Sequence, residues 1–177
     1  MTGGTAIDLG GRSVTLLATP GHSPGHTAAW VAADGVLAAA DAAMGRAITD
    51  RAGNGYIPPM YAPPATYRST LQRIGALPVV VLLTGHEPVM QTAATAAFLA
   101  ESAAACDRLE ALTAAALAEG PGTLMELCSR VHAAYGGLPA DRVRDLALAV
   151  DGHLADLVAN RKAEISPGPP RVFRSVG

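Results

Sequence analysis

Three side chains in this sequence stand where apolar runs end, and each belongs to a type that metals accept. His22 follows the run at 14–18, Asp41 follows 36–40 and His86 follows 79–83. Imidazole nitrogen and carboxylate oxygen suit zinc, iron or manganese, and a carboxylate has a second oxygen with which to bridge two cations. Asp41 lies 19 residues after His22, and His86 lies 45 after Asp41. Each residue has a plainer reading: His22 as a brace for its Pro/Gly loop, Asp41 as a turn residue or helix cap, His86 as a loop histidine. Three such residues in succession, each at a strand exit, point instead to one site. The glycines beside the histidines, Gly21 and Gly85, let the backbone pass close to a metal without a Cβ in the way.

The elements that must hold these residues follow from patterning. Residues 6–9 and 14–18 read as strands around a Gly10-Gly11 turn, and 28–31 and 35–40 as a second pair around Asp34-Gly35. Two prolines and two glycines keep 19–26 irregular. A loop rich in Gly, Pro, Asn and Tyr runs from 45 to 64, and helical spacing then puts Tyr67, Leu71 and Ile74 on one face. Residues 77–83 form the strongest strand signal, followed by an alanine-rich helix over about 90–118. Past Gly120-Pro121-Gly122 the character changes. Thr123 and Glu126 make a capping box for a helix to about Tyr135, a second helix spans 141–160, and 163–176 reads as a hairpin wing around Pro167-Gly168-Pro169-Pro170.

Composition bounds the function classes. The chain has 177 residues, half of them hydrophobic, a net charge of −2 and 16% charged residues. That is enough apolar material for a core and no global attraction for nucleic acid or anionic lipid. Between 123 and 160 acids outnumber bases, against a DNA-reading helix, and only the tail is basic, through Arg161, Lys162, Arg171 and Arg174. No run approaches the ~18 apolar residues of a membrane span. Cys106 and Cys128 lack CxxC spacing and read as buried free thiols. With no secretory signal pattern at the start, the expectation is a cytoplasmic protein. His132 and His153, without partners at ligand spacing, read as surface or cap residues.

The segment Thr19-Pro20-Gly21-His22-Ser23-Pro24-Gly25-His26-Thr27 resembles the third metal motif of the metallo-β-lactamase-fold hydrolases, the superfamily of glyoxalase II. Asp41 falls at that family's bridging aspartate, and Thr84-Gly85-His86-Glu87-Pro88 resembles its last ligand motif. The resemblance covers about residues 5–100. Residues 123–176 look like the winged-helix appendage of β-lactamase-like-protein-2-type hydrolases. The implied fold is α/β: residues 1–119 as the second half of an αββα sandwich, and 120–177 as a small winged-helix-like domain. The resemblance makes His22 a ligand of one metal, His86 of the other and Asp41 the bridge, with His26 supporting from behind.

In that family two divalent cations, zinc first with iron or manganese as alternatives, hold a bridging hydroxide that attacks an ester or thioester. Tyr56, Met60 and Tyr61 occupy the loop that lies near the substrate mouth in the family. One departure stands out: the family's HxHxDH motif should precede TPGH, and no His-x-His occurs anywhere in the chain. Catalytic residues beyond the three ligands are therefore not identifiable here. The sequence predicts half of a hydrolytic domain whose remaining ligands come from another segment or subunit, or else an inactive binding module that covers its open sheet by self-association, or a nuclease-type member of the family acting on RNA. A smaller departure is Ala40, which stands where the family usually has glycine before the aspartate.

Overall fold

The computed structural model describes residues 4–176. The chain opens with an antiparallel meander of β1 (Thr5–Asp8), β2 (Ser13–Ala18), β3 (Thr27–Val31) and β4 (Val36–Ala40). A short hairpin of β5 (Ile48–Thr49) and β6 (Gly55–Ile57) precedes helix α1 (Pro64–Gly75). Strand β7 (Val81–Thr84) then pairs parallel to β4, and β8 (Met90–Gln91) closes a six-stranded sheet in the order β1-β2-β3-β4-β7-β8. Helix α2 (Thr92–Ala118) leads to β9 (Gly122–Thr123), α3 (Leu124–Tyr135), a 3-10 segment (Ala140–Leu146), α4 (Ala147–Ala159) and the hairpin of β10 (Ala163–Ile165) and β11 (Val172–Ser175). Strands β9, β10 and β11 form a small sheet with β11 in the middle.

Local chemistry explains most of these boundaries. Gly35 turns the β3–β4 hairpin at φ +64°, and its carbonyl accepts from the amides of both Val80 and Val81, which docks β7 onto the turn. The expected strand at 77–83 begins only at Val81: Pro78 has no N–H, and the Val79 amide turns back to the Leu77 carbonyl. Pro64 starts α1 without losing a bond, because the first helical N–H has no partner anyway. The buried face of α1 carries Tyr67, Leu71 and Ile74, as the spacing requires. At α3 the Thr123 hydroxyl accepts from the Glu126 amide while the Glu126 carboxylate accepts from the Thr123 amide, the reciprocal cap read from the sequence. The helix expected over 141–160 is α-helical only from Ala147, its first part being 3-10.

One face of the large sheet, with Leu17, Ala28, Trp30, Leu37 and Leu82, joins the buried core. That core continues through Tyr61, Tyr67, Cys106 and Leu109 to Leu127, Val131, Leu154 and Phe173. The two parts of the chain therefore share a continuous apolar interior, with α2 running through both. Cys106 and Cys128 lie inside it as free thiols, and burial pushes the Cys128 thiol up to about 11. No helix among the described residues is long and apolar enough to cross a membrane.

His153 corrects the sequence reading. It is not on the surface: only 2% of it is exposed. Its Nε2 lies 3.0 Å from the Tyr61 hydroxyl, with the rings edge to face. Gly152 makes room for this approach, since a Cβ there would stand 3.1 Å from the Pro64 ring. Burial, reinforced by the Arg68 guanidinium, holds the His153 pKa down at about 4, so the ring is neutral at pH 7. His132 caps its own turn by a contact of 2.9 Å with the Pro139 carbonyl.

Candidate metal centre

His22, Asp41 and His86 emerge from the neighbouring ends of β2, β4 and β7 and meet around one carboxylate. His22 Nε2 lies 3.8 Å from Asp41 Oδ2, and His86 Nε2 lies 3.3 Å from Asp41 Oδ1. Each histidine thus faces a different oxygen. The His22 ring is oriented from behind: its Nδ1 sits 2.9 Å from the Met60 carbonyl oxygen. A carbonyl only accepts, so Nδ1 carries the proton and Nε2 presents its lone pair towards Asp41.

Asp41 Oδ1 is buried and makes no hydrogen bond, although His86 stands only 3.3 Å away. A buried carboxylate oxygen without a partner is costly. Gly85 supports this arrangement, because a Cβ at that position would stand 2.7 Å from the same oxygen. Among the described residues no group of three such side chains closes into a complete metal-holding cluster. His22, Asp41 and His86 are donor types that could contribute to a cation site, without forming such a group by themselves.

The loop between β2 and β3 is fastened on three sides. The Thr70 hydroxyl donates to the Pro20 carbonyl at 2.6 Å, the Ala62 amide donates to Gly21 oxygen at 2.8 Å, and the Thr19 amide donates to His26 oxygen at 2.8 Å. Gly21 has φ +143°, and a Cβ on it would come within 2.9 Å of the Tyr67 backbone. Gly21 therefore serves contact with α1, whereas Gly85 is the one that lies against Asp41. His26 packs edge-on to His22 at 6.0 Å between centroids, with Nδ1 2.8 Å from the Thr19 hydroxyl. Burial first, and the neighbouring His22 second, lower its pKa, which keeps it uncharged behind the site.

The loop residues take other places. Tyr61 is fully buried and stacked on Tyr67 with 4.4 Å between centroids, so its ring lines no mouth. Met60 contributes its backbone carbonyl, while its side chain packs against the core. Tyr56 is exposed and covered by the Arg142 guanidinium, 4.0 Å above its ring. Sequence reasoning misses the Met60 carbonyl, because a main-chain acceptor leaves no trace in residue type. It also misses Thr49, whose hydroxyl lies 3.4 Å from the Glu87 carboxylate beside His86. Ala40, a minor departure by sequence, adopts φ +43°, a left-handed conformation that swings Asp41 out of β4.

Residues 1–86 match the family model of the metallo-β-lactamase superfamily. A hydroxyacylglutathione hydrolase from Acidiphilium cryptum is 34% identical over 122 residues, covering 64% of this chain and 46% of that protein. A metallo-β-lactamase family protein from Thermus thermophilus superposes with a TM-score of 0.72 at 25% identity, over 99% of this chain and 54% of that one. A β-lactamase domain protein from Burkholderia ambifaria gives the same TM-score at 19% identity, over 99% and 52% respectively. The chain spans about half the length of these relatives. The strand order and these likenesses agree: residues 1–86 match the metallo-β-lactamase superfamily, and the chain's fold is that of part of the metallo-β-lactamase family proteins on which it superposes.

Proposed function

We propose that this chain supplies His22, Asp41 and His86 to a two-metal hydrolytic centre acting on a small ester or thioester. The observation that carries this reading is Asp41: a half-buried carboxylate whose buried, unbonded oxygen faces His86 while its other oxygen faces His22. The relative from Acidiphilium cryptum, a hydroxyacylglutathione hydrolase by name, supports the thioester class. Zinc suits the two imidazoles and the carboxylate best, with iron or manganese as alternatives. When bound, a pair of divalent cations supplies Lewis acidity that brings the pKa of water towards about 7 and polarises a carbonyl.

The residues of this chain do the positioning. Met60 fixes the tautomer and plane of His22; Gly85 leaves Asp41 room; neutral His26 adds no positive charge beside the cations. Thr49 connects the site to a pocket of about 350 Å³ lined by Arg46, Asn54, Glu101 and Tyr135, which suits the remote part of a small polar substrate. The remaining donors come from a further segment or subunit. Residues 120–177, read as a winged-helix-like domain, act as a lid or contact element, and the buried free thiols suit a cytoplasmic setting.

Calorimetric titration of zinc into the chain tests this reading. Binding should weaken at least about tenfold in Asp41→Asn and in His22→Ala. Zinc affinity equal in the wild type and in a His22→Ala/His86→Ala double variant would refute it, and the chain would then stand as a binding module.

A further inference from the structure

His86 sits in the turn between β7 and β8, and Glu87 follows it there with a second carboxylate. Two bonds shape the turn: the Gly85 amide donates to the Ala40 carbonyl at 3.3 Å, and the Glu87 amide donates to the Thr84 hydroxyl at 3.1 Å. Glu87 lines a cavity of about 10 Å³ together with Asp41 and His86, so it belongs to the same corner of the fold. It is half-buried, and among the described residues no basic side chain pairs with it. Its partner is the Thr49 hydroxyl, 3.4 and 3.5 Å from the two carboxylate oxygens. Thr49 is itself fixed, since β5 pairs with β6 and the preceding Ile48 is buried.

We propose that Thr49 and Glu87 are positioning residues for His86: Thr49 ties the Glu87 carboxylate to the β5–β6 hairpin, and the tie holds the turn that brings His86 to Asp41. His22 has the Met60 carbonyl behind its ring, whereas among the described residues the His86 ring has no such partner and its side chain is 46% exposed. Its approach to Asp41 is not held by a hydrogen bond either, because Asp41 Oδ1 makes none. Neither packing nor pairing of the ring itself therefore fixes His86, and the turn must do so. Adjacent residues share a rigid peptide plane, so restraining the Glu87 side chain restrains the backbone that aims His86. Partners one step behind a metal ligand are typically worth about tenfold or more in metal affinity. The proposal rests on the metal reading only for the cation that His86 faces; the tether is a property of the metal-free chain.

Amide hydrogen exchange of the metal-free full chain gives the first test. Thr49→Val keeps the branched shape and removes the hydroxyl, so the bonded amides of Gly85 and Glu87 should exchange about tenfold faster. The Thr19 amide, bonded in the His22 loop, should keep its wild-type rate. Thr49→Ser, which retains the hydroxyl, should restore slow exchange. Zinc titration of the same chains is the second test. Thr49→Val should weaken binding about tenfold and Thr49→Ser less than about threefold. In a Glu87→Ala background Thr49→Val should add nothing, since the tether is already gone. Unchanged exchange in Thr49→Val, or a serine variant that behaves like the valine one, overturns the proposal. So does faster exchange without any change in zinc affinity, or a Thr49→Val effect that persists in full with Glu87→Ala. Zinc affinity indifferent to His22→Ala/His86→Ala refutes the metal reading instead, and the exchange rates then decide the tether alone.

Discussion

Replacing His153 by glutamine should flatten the acid side of the stability profile. The buried ring is held at about 4 instead of the ordinary 6.5, first by burial and then by the Arg68 guanidinium. Between those two values the unfolded chain binds a proton that the folded chain refuses, so stability falls as pH drops through the window and is unaffected above it. The gap corresponds to about 3 kcal/mol when complete at pH 4. That is a large share of the roughly 5–15 kcal/mol typical of a domain. Glutamine retains a neutral group for the Tyr61 hydroxyl and does not titrate. Urea unfolding followed by circular dichroism from pH 4 to 8 measures the effect as wild type minus variant. The subtraction removes acid sensitivity common to both, such as that of Asp50 and Glu126, whose carboxyls sit below their ordinary values. The difference should be flat above pH 7 and change by about 3 kcal/mol towards pH 4, to the disadvantage of the wild type. Parallel curves, or a His153 proton resonance titrating near 6.5, would refute the burial argument.

Two further substitutions probe the backbone around Asp41. Ala40→Gly relieves a left-handed alanine at φ +43° and should raise stability by up to about 1 kcal/mol, the strain relieved less the added freedom of the unfolded chain; a loss of stability in urea would show that the methyl matters more than the backbone. Gly85→Ala places a methyl 2.7 Å from Asp41 Oδ1 and should reduce zinc affinity at least about tenfold with little change in melting temperature. Unaltered zinc binding would mean that Asp41 does not use that oxygen.

The strand-exit logic is legible because it joins two strong signals: apolar runs set the strands, and polar residues at their ends break the pattern. His22, Asp41 and His86 stand out on that ground. Tyr67, Leu71 and Ile74 are equally plain from their helical spacing. The short strands β5, β6 and β8 are not, since two or three residues hold no periodicity and their pairing comes from the chain around them. His153 escapes for a related reason. A lone histidine on a helix has no local sign of burial, and its partner Tyr61 lies 92 residues away. Tyr61 itself, in a loop dense in glycine and proline, has the look of a surface residue, and only its stack with Tyr67 places it inside.

Helix α2 is 27 residues long, about 40 Å of continuous rod. In its first half Ser102 accepts at 2.8 Å from the amide of Gly45, four residues beyond Asp41. Further along, the same helix packs against α3 and α4. One helix therefore anchors both the segment that follows Asp41, through Ser102, and the two later helices, through its packing against α3 and α4.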